Sequence, residues 1–218
     1  MPDFLLVLLA YMIGSVSTAV LVSKRFYGID IREHGSGNAG ATNTFRVLGK
    51  NAGVIVMAAD ILKGFLAVKL SLLSQYSWHP TPSVQFVNLQ VILGIASVLG
   101  HIFPIWSGFR GGKGIATLFG MILGIQPLVA VSLVGVFLLM LLATRYVSLS
   151  SISASIAFPL LILFIFREPE LSYKIFAIGT AFLVVLTHHK NIGRLLNGNE
   201  SKVPIFKKRK MRRDKEEA

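Results

Sequence analysis

The chain has 218 residues, 53% of them hydrophobic and 15% charged, with a mean hydropathy of +0.67. Ordinary soluble domains carry about 25% charge, so the composition points to a membrane protein and argues against a nucleic-acid-binding domain despite a net charge of +12. With no cysteine, a disulfide framework, a thiolate nucleophile and a Cys-ligated metal are excluded.

Seven apolar segments succeed one another, at roughly residues 4–22, 52–73, 85–104, 114–126, 128–144, 151–166 and 173–187. The first is preceded only by Met1, Pro2 and Asp3 and followed by Lys24 and Arg25, the reverse polarity of a cleavable signal peptide. It reads as an uncleaved span with its N-terminus outside. If odd segments run inward, the inside loops hold 18 of the 22 Lys and Arg, and the outside loops only Arg167 and Lys174. That asymmetry places the C-terminus in the cytoplasm. The expected fold is an all-α integral membrane protein of about seven transmembrane helices, with one polytopic domain over residues 1–205. The fourth segment is short, and a re-entrant turn between Gly124 and Pro127 would leave five spans. Residues 206–218 form a basic tail, expected to be disordered or to lie on anionic headgroups.

Two motifs look like nucleotide sites and fail. Gly35, Gly37 and Gly40 fit G-x-G-x-x-G, but that pattern needs a preceding strand and a βαβ unit. Gly112-Lys113 suggests a P-loop, yet Ser107 stands where the first Gly belongs and Gly114 where Ser or Thr is required. Glycine-rich backbone beside a lysine is still suited to binding phosphate oxygens.

Three polar clusters fall in the inside layer. Residues 34–46 gather Ser36, Asn38, Thr42, Asn43 and Arg46 among glycines that include Gly37 and Gly40. In residues 101–117, Gly111, Gly112 and Gly114 surround Lys113 ahead of the fourth apolar segment, and Thr117 follows. The start of that helix would aim free N–H groups and a positive dipole end at an anion. In residues 188–200, His188 and Asn191 are spaced i, i+3 and share a face if the last helix continues, with Arg194 three residues further and Glu200 beyond. His188 and His189 cannot share a helix face, and no inside carboxylate cluster completes a metal site, so neither metal nor cofactor is expected. Asp60 and Lys63 lie within the second segment at i, i+3 and read best as an ion pair that steadies the bundle. Together the clusters describe a cationic, glycine-lined pocket for a phosphorylated anion whose partner or product is lipid.

At these residues the sequence resembles the bacterial acyl-phosphate-dependent glycerol-3-phosphate acyltransferases. Ser36-Gly37-Asn38 through Arg46, GH-x-FP-x-W followed by GGKG-x-AT, and H-x-x-NI-x-RL-x-x-G-x-E match that family's three signature blocks in order and spacing, and DILKG (60–64) and YVSLSSI (146–152) extend the match. The resemblance implies transfer of an acyl group from acyl phosphate to the 1-hydroxyl of glycerol 3-phosphate in the bacterial inner membrane. The site would face the cytoplasm, and the enzyme supplying acyl phosphate would be a further partner beside the membrane lipids. Arg46 and Lys113 would neutralise the two phosphates, and the glycine loops would bring N–H groups to them. His188, oriented by Asn191, is the natural group to take the hydroxyl proton, with a pKa expected near 6–7. A substrate phosphate could take it instead, leaving His188 to position and polarise. Ser36 is a hydrogen-bond donor rather than a nucleophile, since no base is identifiable beside it. Glu200 would pair with Arg194 or Arg46. The rival reading, an organic-phosphate transporter, calls for polar groups near the midplane on several spans, and here Asp60 with Lys63 is the main case.

Overall fold

The computed structural model describes residues 2–78 and 83–203, and these contain helices and turns but no strand. Ten α-helices follow in order: α1 Asp3–Gly14, α2 Thr18–Tyr27, α3 Ala41–Leu48, α4 Lys50–Lys69, α5 Val84–Ile102, α6 Ile115–Ile125, α7 Pro127–Thr144, α8 Val147–Leu160, α9 Leu171–Thr187 and α10 His189–Leu196. Each of the seven apolar segments lies on a helix, and the eighth helix runs on through a π turn at Leu161–Ile165. The basic tail from residue 206 lies outside the described residues.

Length and composition alone qualify four spans: Asp3–Tyr27, Val84–Ser107, Pro127–Thr144 and Val147–Ile165. A fifth is added if α9 and α10 count as one bent span. The remaining two segments are not among these. Helix α4 has 20 residues and carries Lys50, Asp60, Lys63 and Lys69. Helix α6 has only 11 residues, a rise of about 16 Å against a hydrocarbon core of about 30 Å. The outward faces carry Leu128, Leu139, Phe164 and Phe182, each more than two-thirds exposed. Such a surface is stable only in an apolar solvent.

The first segment is one apolar run but two helices. At Ser17 the backbone leaves helical geometry (φ −84°, ψ 77°), and the Val16 carbonyl exposed there accepts a 2.9 Å hydrogen bond from Lys63 Nζ on α4. Helix α4 packs along α6, α1 along α5, and α7, α8 and α9 form a second layer. The main core joins Val98, Met121, Ile122, Phe158, Tyr173 and Phe176. In it the Phe158 ring meets Tyr173 and Phe176 edge-on, with centroids 5.8 and 5.7 Å away. Between α6 and α7 only Gln126 intervenes, and Pro127 takes the first helical position, where its missing N–H costs nothing. At this end Lys69 Nζ donates to the Gly124 carbonyl at 2.9 Å, and the Gln126 amide donates to the Glu168 carboxylate.

Candidate active site

The first polar loop is built around two anchors, a half-buried carboxylate and a buried amide. Asp30 accepts from the Arg32 backbone N–H and guanidinium and pairs with Lys24. The Arg32 hydrogen bond holds its carboxyl well below the usual carboxylate range. Asn43, expected among the phosphate contacts, is buried with its amide engaged by its own loop. Its oxygen accepts the Ser36 N–H at 2.9 Å, and its Nδ2 donates to the Ile31 and His34 carbonyls at 3.1 and 2.9 Å. It therefore shapes the cradle. Ser36, Gly37, Thr42 and Arg46 are exposed around it and Asn38 half-buried. Gly40 starts α3 with no side-chain cap, so N–H groups of its first turn remain available beside them.

The second loop doubles back on the end of α5. The Gly111 and Gly112 N–H groups donate to the Ile102 and His101 carbonyls at 3.1 and 3.2 Å. A Cβ on Gly112 would lie 2.3 Å from His101 Nε2 and 2.8 Å from the Ala39 carbonyl oxygen, so only glycine fits between the first loop and the imidazole. Gly114, at φ +79°, turns the chain into α6 and leaves that helix without a side-chain cap. Lys113 thus directly precedes a helix start that carries no side-chain cap, an arrangement that favours an anion. The Thr117 hydroxyl, expected to touch phosphate, is buried and lies 3.3 Å from His101 Nδ1.

The third cluster departs from its expected form. The last helix does not continue through it: α9 and α10 meet at a bend of 60°, with His188 at the corner and only 3% exposed. Asn191 does not orient His188, because its amide is spent elsewhere. Lys113 Nζ donates to Asn191 Oδ1, and Asn191 Nδ2 donates to Glu200 Oε1 at 2.8 Å. The imidazole is held instead by the Val184 carbonyl, 2.8 Å from Nδ1. A proton on Nδ1 fits that contact and leaves Nε2 as an acceptor. Glu200 pairs with Arg194 at 2.6 Å, and Ser148 on α8 donates to it at 2.8 Å. Asp60 and Lys63 form the expected ion pair, at 2.8 Å and almost fully buried.

Burial, then the nearby Arg194 and Arg46, lower the Lys113 pKa to about 8, with Glu200 opposing. Burial and the positive Lys113 push His188 down to about 4, below the expected 6–7 range, so the imidazole is neutral at pH 7. Burial raises Glu200, but its hydrogen bonds from Arg194, Asn191 and Ser148 outweigh that and keep it ionised. Lys113 therefore stands in the field of two further cations, and the carboxylate that offsets them already accepts three hydrogen bonds.

Three contributors carry no role in the sequence reading: Ser148, His101 and the Val184 carbonyl. Ser148 lies inside the YVSLSSI match and His101 inside the second block, which was the available signal. A carbonyl gives none.

A family model described as glycerol-3-phosphate acyltransferase matches residues 4–198. The chain is 46% identical over 210 residues to the glycerol-3-phosphate acyltransferase of Bacillus cytotoxicus, covering 95% of this chain and 98% of that one. It is 39% identical to that of Chlorobaculum tepidum, over 93% and 97% of the two chains. Two crystal structures of PlsY (YgiH), an integral membrane glycerol 3-phosphate acyltransferase, superpose on it. The glycerol 3-phosphate form does so with a TM-score of 0.81 at 37% identity, covering 92% of this chain and 95% of that one. The lysophosphatidic acid form gives 0.78 at 38% identity, over 92% and 94%. The chain belongs to the glycerol-3-phosphate acyltransferase family and is a multi-pass membrane acyltransferase.

Proposed function

We propose that this enzyme transfers a fatty acyl group from an acyl phosphate to the 1-hydroxyl of glycerol 3-phosphate, yielding lysophosphatidic acid and inorganic phosphate. The observation that carries this reading is the charge imbalance of the site. Lys113 lies in the field of two further cations, Arg194 and Arg46, and the carboxylate that opposes them, Glu200, is already engaged by Arg194, Asn191 and Ser148. Two phosphate-bearing substrates supply the missing negative charge. The solved PlsY structures in glycerol 3-phosphate and lysophosphatidic acid forms bear the names of one such substrate and of the product.

In the proposed reaction, Ser36, Asn38, Thr42, Arg46 and the backbone of Gly37 and Gly40 line the first cradle. The backbone of Gly111 to Gly114, Lys113 and the start of α6 line the second. Asn191 accepts from the Lys113 ammonium, and Glu200, paired with Arg194, holds the Asn191 amide in place. The 1-hydroxyl oxygen attacks the acyl carbonyl carbon, the bond from that carbon to the phosphate oxygen breaks, and inorganic phosphate leaves with the bonding pair. His188 Nε2 accepts the hydrogen bond of the attacking hydroxyl and aims it. A group with a pKa of about 4 is a weak base at neutral pH, so the proton passes to an oxygen of the departing phosphate. No cofactor takes part. The protein spans the membrane about seven times, with its N-terminus outside and the site and C-terminus in the cytoplasm, and receives its donor from the enzyme that makes acyl phosphate.

Purified protein in detergent should release one phosphate per lysophosphatidic acid formed, and none from acyl phosphate without glycerol 3-phosphate. Equal use of acyl-CoA, or phosphate release without the acceptor, overturns the donor assignment. Single cysteines in this cysteine-free chain test the topology. Position 170 should react with an impermeant outside reagent in intact cells and position 113 should not.

A further inference from the structure

The Asp60–Lys63 pair does more than face its partner helix. The ion pair and His101 connect three places where helices are interrupted. Lys63 Nζ holds the Val16 carbonyl at the break between α1 and α2, and Asp60 Oδ1 lies 3.3 Å from the Thr18 hydroxyl at the start of α2. The same carboxylate oxygen lies 3.6 Å from His101 Nδ1 in the last turn of α5. His101 Nδ1 also meets the Thr117 hydroxyl in the first turn of α6. Asp60, Lys63, His101 and Thr117 are all buried, so these contacts are not diluted by water.

His101 is the member of this network that touches the glycine loop. Its carbonyl accepts the Gly112 N–H, and its Nε2 edge fills the space that a Cβ on Gly112 would need. Its Nδ1 side meets Thr117, so the imidazole contacts the chain on both sides of Lys113. The course of the chain at Lys113 and at the start of α6 is therefore set by where Asp60 and Thr117 hold this ring. We infer that His101 is a positioning residue for the glycine loop, acting through the Asp60 and Thr117 contacts of Nδ1 to fix one of the two phosphate subsites. The inference rests on the two-phosphate reading of the site given above.

The test is steady-state kinetics of His101→Ala, His101→Asn and Thr117→Val in detergent, with both substrates varied. Asparagine places an amide near the Nδ1 position, whereas alanine leaves nothing there. His101→Ala should raise the KM of one phosphate substrate about tenfold, the scale of a lost buried hydrogen bond, and leave the other within about twofold. His101→Asn should recover at least half of that loss on a logarithmic scale, and Thr117→Val should show the same split more weakly. A loss shared equally by both substrates, no loss at all, or an Asn variant as impaired as Ala overturns the inference. If the Ala variant does not elute as folded protein, the Asn and Val variants decide, since each must then show the one-substrate split. A wild-type enzyme inactive with these two substrates would refute the function itself, which is a different outcome from an active wild type whose variants show no split.

Discussion

Two groups of charged residues, one buried and one partly open, are opposites. Around Asp60, the carboxylate meets Lys63 at 2.8 Å, Thr18 at 3.3 Å and His101 at 3.6 Å, and Lys63 spends a further donor on a backbone carbonyl. Charge and hydrogen bonds balance there without outside help. Around Lys113, the further cations Arg194 and Arg46 are opposed by the carboxylate of Glu200, and the start of α6 carries no side-chain cap. A group that closes on itself stabilises and positions, while one left short of negative charge binds an anion. The contrast separates scaffold from site more sharply than burial does, since Asn191 at 8% exposure is scarcely more open than Lys63 at 6%.

The comparison breaks most visibly if half of the closed group is removed. Lys63→Met leaves Asp60 buried without its cation and should cost roughly 3–5 kcal/mol of stability, the usual penalty for an orphaned buried charge. Thermal unfolding in detergent measures it. Lys63→Met with Asp60→Leu should recover most of that loss, and a double variant as unstable as the single one contradicts the account. In the open group the effect should fall on binding instead. Lys113→Ala should weaken phosphate-substrate binding by roughly 1.5–3 kcal/mol with little change in unfolding temperature, and exposed Arg46→Ala by less. Unchanged kinetics for both substrates in either variant would deny the anion site.

The pH response of Lys113 sharpens the contrast, because stability and binding should move in opposite directions. Its pKa falls from 10.5 to about 8 on folding. Between those values the unfolded chain binds the extra proton, so this residue makes the free protein more stable as pH rises from 8 towards 10.5. Over the same interval the ammonium is lost and the KM for a phosphate substrate should climb. Lys113→Met should flatten both trends, and a wild-type KM that is constant from pH 7 to 9.5 argues against the lowered pKa. The smallest effect is expected at His188. Gln preserves a hydrogen-bonding group of similar reach, so His188→Gln should keep activity within about tenfold of wild type, whereas loss of a general base costs roughly 10²–10⁴-fold. An acid limb near pH 6–7 that persists in this variant belongs to substrate phosphate, since His188 titrates near 4. An acid limb that vanishes with the imidazole would restore the base role.

Much of this was legible in the sequence because it is written in local composition. The seven apolar runs lie on helices, and Lys113, Asn191, Arg194 and Glu200 meet as one group although 78 residues separate the first two. What could not be read depends on distant partners. The break at Ser15–Ser17 looks like any small-residue stretch of a membrane helix, and it is stabilised by Lys63, 47 residues away. The bend at His188 carries no Pro or Gly signal, so helical continuation was the natural expectation, and with it the pairing of His188 to Asn191. Asn43 belongs to the same class. An Asn in a glycine loop suits a ligand or a turn equally well, and only the fold shows its amide consumed by Ser36, Ile31 and His34.

The 11 residues of α6 have a consequence for chemical selectivity. Its far end is marked as a polar boundary by Lys69 on Gly124 and by Gln126 on Glu168. A helix of that length rises about 16 Å, too little to cross a hydrocarbon layer of about 30 Å by itself. The glycine loop at its start is half-buried, so a group bound there gives up part of its water shell. For a mixed anhydride such as the proposed donor, the competing nucleophile is water. Positioning would answer that competition physically. In the proposed reaction the acyl chain would stay dissolved in lipid and the polyol alcohol would enter already bound through its phosphate, so that its hydroxyl rather than solvent is held against the activated carbonyl.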